Sequence, residues 1–376
     1  MRLSRGDLLC LYFACQFNPL IFYLIVDSQG YDITGVRYII SVVVSMLFFS
    51  MALIKGYKIT LAEYLHISVV LVLISGRAFL DLITGVELDF AVYIIFVEYV
   101  FVFLVVAMLY CTELSEYFSR YKKIIIFFMF TNTVIWAFSL INGISWGVFR
   151  AYISGITINR VPDFINIIFI PWVFATSGWL SAFFVTCYAI ITSYRTLYLA
   201  VLVSLAFLLF FGTRSVRATI LRNSLLSVML IILAISIYAD GLVLIERVFS
   251  LFTIESKVAG EASKSQRVVD FFTLLNTLPN CVFLGCGSVE PQSGISYYNF
   301  PYYPIWVLLI FGPLGMLLSL WIFLPLLLRR ANIEHNFLLS IWAVLLIILL
   351  VFPYVHYFCL MFFISILQVP IVRGRF

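Results

Sequence analysis

The sequence predicts an all-α protein, one unit over residues 1–376 that crosses a membrane about eleven (ten to twelve) times. Three observations carry this expectation. Hydrophobic residues make up 64% of the 376 and charged residues only 11%, where a soluble domain is nearer half apolar and a quarter charged. Apolar runs of ~20 residues, the length of a helix that spans a bilayer, recur from end to end. The basic residues fall in short segments between alternate runs, which is how membrane helices are oriented. A formal net charge of +5 gives no basis for nucleic-acid binding.

The expected spans are Leu8–Val26, Val36–Ile54, Leu61–Leu80, Phe90–Tyr110, Ile124–Ile141, Phe164–Thr192, Thr196–Phe211, Ala218–Tyr238, Tyr302–Leu328, Phe337–Phe352 and His356–Pro370. "MRLSRGD" runs straight into the first, which reads as its own signal anchor. Arg2 and Arg5, Lys55 and Lys58, Arg120 with Lys122 and Lys123, Arg329 with Arg330, and Arg373 with Arg375 mark one side, the cytoplasmic one by the positive-inside rule. Asp27–Gly35, Asp81–Asp89 and the first large loop, 142–164, then face out. One inconsistency arises: three helices between that loop and the long one would start the long loop on the wrong side. Either Gly212–Asn223 re-enters the membrane, or Phe164–Thr192, which contains Pro171 and Gly178, is not one helix.

Residues 239–301 form the only sizeable extramembrane piece and are too short for a core of their own. In "SKSQRVVDFFTLLNTLP", Ser263 or Ser265 caps a helix whose apolar face recurs at Val268, Phe271, Phe272, Leu275 and Leu278. Pro279 ends it. Seven cysteines occur, without a CxxC pair or clustered histidines, so a metal site has no support. Cys281 and Cys286 lie together in the long loop, where an oxidising compartment would allow a disulfide.

Arginines outside the basic segments are the candidate functional groups: Arg150 and Arg160, Arg214 and Arg217 in "GTRSVR", and Arg267. Arginine stays charged at any working pH and holds phosphate oxygens in bidentate fashion. Several converging at a membrane surface would seat a lipid diphosphate; singly, each is explained by headgroup contact or a nearby acid. Glu98 lies inside a span, where an acid is a functional candidate and an arginine from another helix is its expected partner. Tyr297, Tyr298, Tyr302, Tyr303 and Trp306 cluster where the chain re-enters the membrane. They suit either sugar rings or an interfacial belt. His356 sits near an external helix end; His66 and His335 lie near cytoplasmic ends.

"LLFFGTRSVRATI", "ERVFSLF", "SQRVVDFFTLLNTLPNCVFLGCGS" and "YYPIWVLLIFGPLGMLLSLW" together resemble, in that order, the signature of the bacterial O-antigen polymerase and ligase superfamily. "FRAYISGITINRVPDFIN" is similar to that family's Arg…Gly…Pro-Asn loop, with Asp163 where Asn is usual. The resemblance covers roughly Phe149 to Trp321. It implies an inner-membrane glycosyltransferase of the GT-C type, independent of metal and cofactor, with its site facing the periplasm. Such enzymes act on glycans carried by undecaprenyl diphosphate, among membrane lipids and alongside a flippase and a chain-length regulator.

Carried over by position, Arg214 and Arg267 match the diphosphate-holding arginines; Arg217, Arg150 and Arg160 are weaker matches. The histidine that relatives, ligases above all, carry shortly before the Gly-x-x-Gly element is missing: Pro301 and Tyr302 stand there. Glu290 and Asp270, and after them Tyr297 or Tyr298, are therefore the candidate general bases, with Tyr297, Tyr298 and Tyr302 against the sugars. The expected activity is a polysaccharide polymerase. The rival is the ligase that delivers the finished glycan to lipid A–core. A flippase fits less well, because the chain has one dominant late loop and no internal symmetry.

Overall fold

The computed structural model describes residues 3–16, 25–26, 33–84, 90–141, 150–153, 156–159, 163–180, 183–185, 195–237, 285, 303–328, 340–345 and 358–373. These are predominantly helical. In chain order they form α1 (Arg5–Gln16), β1 (Ile25–Val26), α2 (Ile33–Ile54), α3 (Leu61–Thr84), α4 (Phe90–Leu109), α5 (Leu114–Arg120) and α6 (Lys122–Ile141). Next come β2 (Arg150–Ile153), β3 (Ile156–Asn159), α7 (Asp163–Thr176), α8 (Arg195–Phe211), α9 (Arg214–Ile237), α10 (Tyr303–Leu328) and α11 (Phe358–Val372). Residues 340–345 add a further helical piece.

The helices start where local chemistry tells them to. Ser4 and Asp7 exchange hydrogen bonds across the first turn of α1: the Asp7 amide donates to the Ser4 hydroxyl (3.2 Å) and the Ser4 amide to the Asp7 carboxylate (3.1 Å). Thr60 and Glu63 repeat the device at α3, at 3.3 and 2.7 Å. Each is a reciprocal capping box that satisfies two otherwise orphaned amides.

α3 is built inside out. Its buried residues, Glu63, His66 with the adjacent Ile67, Val70, Ile74, Arg77 and Asp81, otherwise follow at three- and four-residue steps and so share one face. Four of the seven are ionisable. The opposite face exposes Tyr64, Val72 (68%), Phe79, Leu82 and Ile83 (65%). Among the described residues α3 is the one helix long and apolar enough to cross a membrane, with shorter apolar helices at Ile40–Ile54, Phe96–Leu109, Val201–Phe211, Phe311–Ile322 and Met361–Val372.

α4 forms the centre, packed against α2 on one side and α11 on the other, while α10 lies along α3 and α7 receives α8 and α9. An aromatic cluster joins α1, α5, α7 and α11: Phe13 meets Phe362 at 5.0 Å and Phe169 at 5.6 Å between ring centres, and Phe118 and Phe363 complete it.

The basic segments gather at one end of this bundle. Lys55 donates to the Leu3 carbonyl (3.3 Å), Arg5 lies over the Tyr57 ring, and Arg120 faces Asp7 at 3.6 Å. Lys122 donates to the Thr176 hydroxyl (2.9 Å), and Arg373 reaches Glu63. The other end carries the sheet, order β1-β3-β2, in which Ile25 pairs with Thr157 and Arg150 with Asn159.

Within the segment 142–164, "RAYI" and "ITIN", rich in β-branched and aromatic residues, form the antiparallel pair β2–β3. Two expectations need correction. Leu8–Val26 is not one helix: α1 is Arg5–Gln16, and Ile25 and Val26 pair as a strand with β3. Phe164–Thr192 is not one helix. α7 stops at Thr176, and Asn223 of α9 donates to the Phe174 (2.7 Å) and Ser177 (3.2 Å) carbonyls that the break leaves open. Of the two explanations for the miscounted crossings, this division supports the second.

Candidate functional site

At the sheet-bearing end, α3, α4 and α10 bring together a buried charge and a broken helix. Arg77 follows Leu61 by sixteen residues, about 24 Å of helix, and precedes Thr84 by seven, about 10 Å. Its Nη2 donates to Oδ1 of Asp81 one turn on, both side chains being under 5% exposed. The Tyr93 hydroxyl of α4 donates to the other oxygen, Oδ2. The carboxylate is thus held by a cation and a phenol from two helices. The guanidinium is not satisfied: Nε of Arg77 is buried with no hydrogen-bond partner.

The Tyr93 ring stands edge-on to Phe311 of α10, 5.8 Å between centres. Immediately after Phe311 the helix breaks. Gly312 has φ 63° and ψ −153°, a region open essentially to glycine alone. Pro313 is the cause: it has no amide for the carbonyl four residues back, and its ring disfavours a helical conformation in the residue before it. The break folds Phe311 over Gly315, where a Cβ would lie 2.2 Å from Phe311 Cβ and 2.8 Å from Val307 Cγ1. Leu314 reaches within 4.0 Å of where a Gly76 Cβ would stand. Gly312 and Gly315 are the two glycines of "GPLG", so that element sits directly beside the Arg77–Asp81–Tyr93 unit.

A second polar unit lies toward the basic end. His66 Nε2 meets the Tyr99 hydroxyl at 2.9 Å, Tyr99 donates to Gln368 Oε1, and Gln368 Nε2 donates to the Ile322 carbonyl. Since the phenol gives its one proton to Gln368, it accepts from His66, which fixes the Nε2–H tautomer. Trp321 stacks on the imidazole. This chain ties α3, α4, α10 and α11 together. Below it Arg373 donates to Glu63 (2.6 Å) and the Ala107 carbonyl (2.5 Å).

Glu98 is fully buried and accepts from the Ser41 hydroxyl at 2.6 Å. That hydroxyl comes from α2. At the basic end, Asp7 precedes the apolar run that begins at Leu8. Hydrogen bonds from the Ser4 hydroxyl and amide, together with Tyr121 and the Arg120 charge, hold its carboxyl below the usual range against the opposing effect of burial. Burial, chiefly, and the neighbouring Asp7 push the Tyr121 hydroxyl up.

Of the arginines singled out from the sequence, Arg217 caps α8: Nε donates to the Gly212 carbonyl (2.9 Å) and Nη2 to that of Phe210 (3.4 Å). Arg214 is exposed at the first position of α9, nine residues or about 13 Å before Asn223. Arg150 lies in β2. Arg160, Arg267, Asp270, Glu290, Tyr297, Tyr298 and Tyr302 lie outside the described residues, as do Cys281, Cys286, His335 and His356. Sequence reasoning passed over Arg77, although it sits inside an expected span with an acid four residues on. Among the described residues no group of His, Cys, Asp or Glu is arranged to hold a metal ion. Comparison with family models, curated proteins and solved structures finds no match to this chain.

Proposed function

We propose that the protein is a polytopic enzyme of the bacterial inner membrane that polymerises a surface polysaccharide. It transfers a glycan from undecaprenyl diphosphate to a second lipid-linked repeat unit at the periplasmic face. The membrane reading is supported by the inside-out polarity of α3 and by helices of 20–24 residues in α2, α3, α4, α6 and α9. At 1.5 Å per residue these measure about 30–36 Å, against ~30 Å of bilayer core. The observation that carries the enzymatic reading is the break of α10 at Gly312. It falls in the family-like element, beside a buried arginine and at the end opposite the basic segments.

In the reaction, the anomeric C–O bond to the diphosphate breaks as the acceptor hydroxyl oxygen bonds the anomeric carbon. Glu290 or Asp270 takes the hydroxyl proton. Undecaprenyl diphosphate leaves with its negative charge, which Arg267 and Arg214 stabilise without a proton donor. Partners follow from the substrate: the lipid-linked oligosaccharide, the surrounding lipids, and a flippase and chain-length regulator of the same pathway.

Arg267→Ala tests this in a strain lacking the native copy. Long-chain polysaccharide is expected to disappear at normal protein level; its survival would reject the assignment. Bare lipid A–core with accumulated lipid-linked polymer would identify the ligase instead.

A further inference from the structure

We infer that Arg77 is a binding residue for a lipid-linked diphosphate, its unpartnered Nε–H taking a phosphoryl oxygen at the broken segment of α10. The inference deepens the reading given above and rests on it for the identity of the lipid.

The argument begins with an unbalanced group. A guanidinium carries its charge at any working pH, and an intramembrane arginine is a functional site by default. Asp81 neutralises Arg77, yet one of its donors is buried without an acceptor. Buried donors in native proteins are nearly always matched. In this geometry Asp81 does not supply it: Oδ1 accepts Arg77 Nη2 and Oδ2 the Tyr93 hydroxyl, while Nε meets no acceptor. Tyr93 has given its proton to Asp81, and the outer face of α3 is apolar.

Among the described elements, α10 packs along α3 beside this unit, and that is where its helix is interrupted. An acceptor arriving there meets Nε–H at a level about two turns inside the end of α3. A diphosphate at the membrane boundary is an anionic acceptor delivered at that depth. Its oxygens suit a guanidinium better than an ammonium, because the donor fork is planar and fixed. Tyr93 and Asp81 are positioning residues in this arrangement: they hold Nη2 and thereby aim Nε.

The test uses the full chain in phosphatidylethanolamine nanodiscs, as wild type, Arg77→Lys and the paired Arg77→Gln/Asp81→Asn. The pair removes both charges together, so it is expected to fold even if the single variant does not; melting without ligand checks this. Equilibrium binding of undecaprenyl diphosphate is expected to weaken about tenfold or more in either folded variant. Inorganic diphosphate is expected to compete, and phosphatidylglycerol at equal mole fraction is not. Folded variants that bind as the wild type does would overturn the inference, as would equal competition by phosphatidylglycerol. Arg77-dependent binding in a protein whose deletion leaves polysaccharide unchanged would separate this site from the polymerase reading.

Discussion

Replacing Glu63 with glutamine tests how the basic end is held. Glu63 is fully buried; Oε2 receives the Thr60 amide (2.7 Å) and hydroxyl (2.9 Å), and Oε1 receives Arg373 Nε (2.6 Å). Glutamine keeps one acceptor, but its amide turns two donors toward a site that needs acceptance. Arg373, 8% exposed, would keep its charge with only the Ala107 carbonyl and the Tyr110 ring for company. Removing one partner of a buried ion pair costs ~3–5 kcal/mol. The surviving carbonyl contact argues for the lower figure, and at roughly 2 °C per kcal/mol Tm should fall by about 6 °C. Thermal unfolding in one detergent at pH 7 measures it. Glu63→Gln/Arg373→Gln, which removes both charges, should recover at least half the loss. A single variant melting within about 2 °C of wild type would refute the reasoning.

At the break in α10, Gly315→Ala places a methyl 2.2 Å from Phe311 Cβ, and should cost ~1–3 kcal/mol and straighten the helix. Gly312→Ala meets a positive φ of 63° at a similar ~1–3 kcal/mol. Both should lower Tm and shorten surface polysaccharide at normal protein level; wild-type behaviour in both would reject a role for the break. For Asp7 the sign is fixed by its depressed pKa in the folded state. Its contribution is complete above the unfolded value, about 3.9, and is lost as pH falls through the lower folded value. Tm of the wild type should therefore drop more steeply below about pH 4 than that of Asp7→Asn, and parallel curves would contradict the assignment.

Helix positions were legible because hydropathy runs of bilayer length are hard to mistake: α2, α8 and α10 begin and end within three or four residues of the expected bounds. The bounds that failed had local causes. Gly178, in the break after Thr176, was visible but was absorbed into a long apolar run. The Ser4–Asp7 and Thr60–Glu63 boxes match a sequence pattern that also went unread. Arg77 was hidden by its setting, since a window average that is strongly apolar masks one arginine whose neutralising acid lies outside the run. That Arg217 is spent on the carbonyls of α8 follows from backbone geometry at the Gly212 turn, which spacing alone does not reveal.

The most direct test is the lipopolysaccharide banding pattern of a strain from which this chain is deleted. The account predicts loss of the long-chain ladder with retention of core bearing a single repeat unit, restored by the wild-type chain. A ladder of unchanged length would contradict it.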